Sequence, residues 1–152
     1  MKRACTEEQV NIRKEEIINT VSKMFDEMDY QNISMKTISE KISIARSSLY
    51  CYYNSKEEIM LDVLKNDYIK FLKTIIEDFE KKDTIEELTD NITDAYMNNL
   101  RVMKIISLYL TDIEIHCSLG SLVNFKKDFV TYMLDLKKSI CKRFNNIPEK
   151  ES

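Results

Sequence analysis

A chain of 152 residues with one glycine, Gly120, and one proline, Pro148, has almost no means of making the tight bends of a β-rich fold. Such bends use glycine for positive φ and proline for a preset φ. Both residues also interrupt helices, so their scarcity leaves long helices free to form. The fold class expected is therefore all-α. At this length one domain, or two small ones sharing a core, can fold without disulfide or metal staples. A composition 43% hydrophobic and 32% charged is that of a globular chain rather than a disordered one.

The apolar spacing divides the chain into helices. Ile17, Val21, Met24, Phe25 and Met28 form one buried face, and Thr6 with Gln9 forms a capping box upstream, which predicts a first helix over about 7–28. After the polar break DYQN, Ser34 caps a second helix over 35–42, with Ile38 and Ile42 inward. A third short helix covers 45–52 with Leu49 inward. Ser55 and Glu58 read as a capping box, S-K-E-E, that opens a long fourth helix carrying Ile59, Val63, Tyr68, Phe71, Leu72, Ile75 and Phe79. Thr84 and Glu87 repeat the box and open a fifth helix continuing through Ile92, Tyr96 and Leu100. The run Met103–Leu110 reads as a buried sixth helix. Gly120 suits a helix C-terminus and Ser121 the cap of a seventh, marked by Phe125, Phe129, Tyr132, Met133, Leu136 and Ile140. The tail NNIPEKES is expected to fray.

Several function classes find no support. No apolar run reaches the length of a membrane span, and the polar start MKRACTEEQ lacks the apolar centre of a signal peptide. Cys5, Cys51, Cys117 and Cys141 form no CxxC pair, which suits a reduced, cytoplasmic setting. His116-Cys117 has no second histidine or thiol nearby and reads as plain helix residues. Neighbouring acids such as Asp112/Glu114 and Glu86/Glu87 read as solvated faces. No phosphate loop, nucleophile elbow or HExxH is present, so neither an enzyme nor a cofactor or metal is expected.

Charge distribution is more telling than net charge, which is −3. Residues 57–152 hold 14 Lys+Arg against 18 acids, but residues 1–56 hold 9 against 8. The stretch KISIARSSLYCYYNSK, residues 41–56, has no acid at all. Within 34–56 Lys36, Lys41, Arg46 and Lys56 face only Glu40. A locally basic segment on an acidic chain is an electrostatic footprint for a polyanion. The acid-free stretch 95–111 is mostly apolar, and burial explains it. The stretch 41–56 has too few apolar residues for that.

Two short helices, 35–42 and 45–52, separated by a turn at Ser43-Ile44, make a helix-turn-helix, whose second helix can enter the major groove of DNA. Ile38, Ile44 and Leu49 fit its small core. Arg46, Ser47, Ser48, Tyr50 and Tyr52 are the expected outward positions of the second helix, joined by Ser34, Lys36 and Lys56 around it. Arginine can fork onto guanine edges. Hydroxyls, lysine and helix N-termini suit phosphate oxygens.

The run ISMKTISEKISIARSSLYCYYNSKEEIMLDVL resembles the DNA-binding half of tetracycline-repressor (TetR) family regulators. The shared positions are Ile38, Ile44, Leu49, Tyr50, Tyr52, Ser55, Lys56 and Glu57, with Tyr53 where the family has phenylalanine. Ser43 stands where the family usually has the turn glycine, and Ala45 where it has the capping serine. Ser39 and Ile42 replace small alanines. The resemblance covers about 50 N-terminal residues. It implies a helix-turn-helix DNA-binding domain over 1–54 and a helical ligand-binding and dimerisation domain over 55–152. Family members usually continue for about two more helices, so the second domain is expected to be short at its C-terminus.

The resemblance also implies a homodimer on a double-stranded DNA operator and a small effector bound between the later helices, making the protein a ligand-responsive repressor. Candidate cavity residues are Tyr96, Met97, Leu100, Met103, Ile106, Tyr109, His116, Phe125, Phe129 and Met133, which suit a mostly apolar molecule. The alternative is a helical protein–protein interaction module that has lost DNA binding.

Overall fold

The structure, a computed structural model, describes residues 6–81 and 84–144. Cys5 and the tail NNIPEKES lie outside the described residues. The described chain is all-α: α1 (Glu7–Glu27), a 3-10 turn (Tyr30–Asn32), α2 (Met35–Ile42), α3 (Arg46–Leu49), α4 (Lys56–Lys81), α5 (Ile85–Asn98), α6 (Leu100–Lys104), a π-helical turn (Ile105–Tyr109), α7 (Leu110–His116) and α8 (Leu119–Arg143).

The caps decide where most of these begin. Thr6 and Gln9 close the capping box expected of α1, and Ser34 closes a second one with Thr37 at α2. Ser55 Oγ accepts from the Glu58 backbone N–H at 3.2 Å, but Glu58 does not complete that box. Its carboxylate turns back to the Asn54 N–H at 3.0 Å and across to the Ser121 hydroxyl of α8 at 3.2 Å. Thr84 caps α5.

Three expected boundaries are corrected. The fifth helix does not reach Leu100, because the backbone breaks at Asn99 (φ −122°, ψ 37°). The last helix starts earlier than Ser121: Ser118 is its cap, and Gly120 sits in its first turn with no positive φ. The run Met103–Leu110 is not a buried helix. It holds the π turn, and within it only Ile105 is buried while Leu108 is 64% exposed. An all-round apolar run still has only one side that meets α1 and α4.

One core joins the first three helices to the later ones. Ile17, Val21, Met24 and Phe25 of α1 meet Ile38, Leu49, Ile59, Met60 and Val63, and the same cluster continues into Val102, Ile105, Ile113 and Phe125. A second cluster, Phe71, Leu72, Ile75, Phe79, Leu88 and Ala95, clamps the far half of α4 to α5. α4 is thus the shared spine, and α8 packs along it.

Candidate nucleic-acid interface and effector cavity

The turn between α2 and α3 is built by backbone geometry that serine rarely supplies. Ser43 is left-handed, at φ 60° and ψ 42°. Its N–H bonds to the Glu40 carbonyl, and the Ile44 N–H bonds to the Ser39 carbonyl at 3.0 Å. This double closure satisfies the last carbonyls of α2 and normally falls to glycine. Ser39 is buried where alanine is usual, and its hydroxyl bonds locally to the Lys36 carbonyl at 2.8 Å. Ala45 precedes α3 with no side-chain cap. The α-helical part of α3 ends at Leu49 rather than 52. The chain continues as tighter turns, with the Cys51 N–H on the Ser48 carbonyl and the Tyr52 N–H on that of Leu49. Ile38 and Leu49 are fully buried between the two helices.

This arrangement brings Arg46, Ser47, Ser48 and Tyr50 together on one exposed surface. None of the ion pairs among the described residues involves Arg46. The other cations are held. Lys36 lies 4.0 Å from Glu40, and Lys41 lies 3.8 Å from Glu27, both on open surface. Lys56 differs from expectation: its ammonium lies 4.1 Å over the ring of Tyr30 and donates to the Tyr30 carbonyl at 3.2 Å, tying α4 to the α1–α2 link. Ser34 spends its hydroxyl on the Thr37 N–H. Tyr52 is a correction as well, since it is half-buried against the core. Tyr53 is buried with its hydroxyl on Asp62 at 2.8 Å, and burial together with that carboxylate pushes its pKa far up.

Above this surface lies a cavity of about 300 Å³ between α4, the π turn, α7 and α8. Its walls are Leu64, Tyr68, Ile106, Leu110, Phe125, Phe129 and Val130, and Glu114 and Lys126 meet at its rim, 3.1 Å apart. Tyr68 stacks on Phe129 with ring centres 4.6 Å apart. Of the ten candidates read from sequence, Ile106, Phe125 and Phe129 line this cavity. Met133 stands beside it as acceptor of the Tyr68 hydroxyl. Tyr96, Met97, Leu100 and His116 are exposed instead, and Met103 borders a shallow groove between α1 and α6. Tyr109 points the other way, into Phe25 and Tyr30. Sequence reading missed Leu64 and Tyr68, although they stand four residues apart on α4 and therefore share a face. Burial, with nearby carboxylates, pushes the Cys117 thiol up to about 12, which disfavours its thiolate.

Two ties join this upper half to the first three helices. Arg101 forks onto Asp67 of α4 (Nε to Oδ2 2.6 Å) and reaches Asp26 of α1 at 2.6 Å. The Asp67 hydrogen bond, opposed by burial, raises the arginine pKa further. The second tie is the Tyr109–Tyr30 contact, with ring centres 4.6 Å apart, joined by the Tyr30 hydroxyl on Asp112.

Residues 17–63, which run from the middle of α1 into the first turns of α4, match the model of the family described as "Bacterial regulatory proteins, tetR family". Over this stretch the chain is similar to the DNA-binding segment of TetR-family regulators. It is 36% identical over 62 residues to the uncharacterized HTH-type transcriptional regulator YxbF of Bacillus subtilis, a match covering 41% of this chain and 16% of that protein. It is 28% identical over 75 residues to the biofilm operon icaADBC HTH-type negative transcriptional regulator IcaR of Staphylococcus epidermidis, covering 49% and 40%. It is also 28% identical over 102 residues to the HTH-type transcriptional regulator SAB2452 of Staphylococcus aureus, covering 67% and 48%. The chain thus spans less than half the length of these curated HTH-type relatives. No described helix is long and apolar enough to cross a membrane.

Proposed function

We propose that this chain is a TetR-type DNA-binding transcriptional regulator, and specifically a ligand-responsive repressor acting as a homodimer. The observation that carries the reading is the exposed surface of Arg46, Ser47, Ser48 and Tyr50 on a buried Ile38–Leu49 hinge, with Arg46 free to meet a base edge. Residues 1–54 would hold the operator and residues 55–152 the effector and the partner subunit. IcaR, a relative, is named as a negative regulator, which favours repression over activation.

Ligand entering the cavity would press on Ile106 and Leu110, on either side of Tyr109. Tyr109 would transfer that movement to Tyr30, and through it to Lys56 and the α1–α2 link. A π turn suits this role, because its looser hydrogen bonding lets a helix shift register locally.

A salt-dependent anisotropy titration on the DNA upstream of the protein's own gene tests the reading, with Arg46→Ala alongside. Specific binding that Arg46→Ala weakens supports it. The Lys36–Glu40 and Lys41–Glu27 pairs favour a second reading, a helical interaction module without DNA binding, because they leave little free positive charge. Equal, weak binding to all sequences by both proteins would select that reading.

A further inference from the structure

The rim of the cavity carries information about charge. The walls are apolar and ring-rich: Tyr68, Phe125 and Phe129 form a continuous aromatic cluster, with Phe125 and Phe129 centres 6.0 Å apart. Aromatic faces attract cations, most strongly where water is excluded. The two ionic groups at the rim are not equivalent. Glu114 is 33% exposed and lies in the last turn of α7, where the helix presents its partial negative charge. Lys126 is 60% exposed on a long flexible stem and can swing into water at little cost. Lys126 neutralises Glu114 across the rim. An anionic ligand would have to sit against both Glu114 and the α7 carboxyl end. A cationic one would take the place of Lys126 and leave every charge satisfied.

We infer that the effector is an organic cation with a compact aromatic or otherwise apolar body, whose charge displaces Lys126 from Glu114 while the body stacks among Tyr68, Phe125 and Phe129. The inference rests on the effector reading of the cavity given above and adds the ligand class to it.

Three probes that share one body separate the possibilities: phenylbutyl-trimethylammonium, phenylbutanol and phenylbutyrate, titrated calorimetrically into the full chain. The ammonium should bind about tenfold or more tightly than the alcohol, since its charge gains both the rings and Glu114, and phenylbutyrate should bind weakest. Glu114→Gln should remove most of the ammonium's advantage over the alcohol, leaving the part owed to the rings, and leave the alcohol unchanged. Lys126→Ala should tighten the ammonium several-fold by removing its competitor. Equal binding of ammonium and alcohol, tightest binding of phenylbutyrate with loss in Lys126→Ala, or no binding of any probe would each overturn the inference. A DNA titration with the ammonium present keeps the two readings apart. Binding as expected without any change in DNA affinity would retain the ligand class and reject the regulatory role.

Discussion

Ser43 carries the clearest single-residue consequence. It holds a left-handed backbone that costs a residue with a Cβ about 1–2 kcal/mol. Ser43→Gly removes that strain but adds freedom to the unfolded chain, which takes back roughly 0.5–1 kcal/mol. A net gain of about 0.5 kcal/mol in urea unfolding is expected, and a loss would mean that the turn is not left-handed in solution. Arg46 and Lys56 should separate in the same experiments. Arg46→Ala should leave stability unchanged and cost roughly 1–3 kcal/mol on the operator, with relaxed preference at one base pair. Lys56→Ala should lower stability by about 1 kcal/mol, because it removes a cation over Tyr30 and a bond to the Tyr30 carbonyl. If Lys56→Ala left the urea midpoint in place while weakening DNA binding, its ammonium would be free for phosphate after all.

At the scale of elements, the position of α8 against α4 depends on Glu58. This carboxylate is nearly buried, yet it accepts from Asn54 and Ser121 and so links the end of the α3 turn to the start of α8. Burial alone would raise its pKa, but the hydrogen bonds from Asn54, Ser118 and Ser121 outweigh burial and lower it from 4.5. A carboxylate depressed in the folded state stabilises above its unfolded pKa and loses that contribution as pH falls through its folded pKa. Stability should therefore drop as pH falls below 4.5, and Glu58→Gln should flatten that part of a urea-midpoint profile. A profile for Glu58→Gln parallel to the wild type would assign acid sensitivity elsewhere.

Elements are also where sequence reading was strongest and where it stopped. Thr6/Gln9, Ser34 and Thr84 mark helix starts because their caps are local, satisfied within three residues. Arg101 could not be foreseen, because its partners Asp67 and Asp26 lie 34 and 75 residues away. The π turn was equally hidden, since an unbroken apolar run gives the same pattern with or without one extra residue in the turn. For the cavity, Phe125 and Phe129 were legible as an i, i+4 aromatic pair. Glu114 and Lys126 were not, because charged residues at a rim look the same in sequence as charged residues on any surface.

At the scale of the whole molecule, the proposed function would require a second copy, since a single short recognition helix would touch too few bases to select an operator. On α8 the exposed Leu119, Val123, Val130 and Leu134 recur at spacings of four, seven and four. Together they form a seam of the kind that pairs helices. A symmetric dimer would cover this seam and set two α3 helices about 34–36 Å apart, one turn of B-DNA. Sedimentation at tens of micromolar should show a dimer. Leu134→Lys places a charge in the seam without touching a buried residue, so it should yield a folded monomer of unchanged helix content. That monomer should bind a half-site about as well as the wild type does, but lose the gain in affinity that the wild type shows on the full operator, because that gain comes from linking two weak contacts. Were Leu134→Lys still dimeric with full operator affinity, the subunits would pair through another face. Were the wild type a monomer that nonetheless bound the full operator tightly, the two-copy model itself would fail.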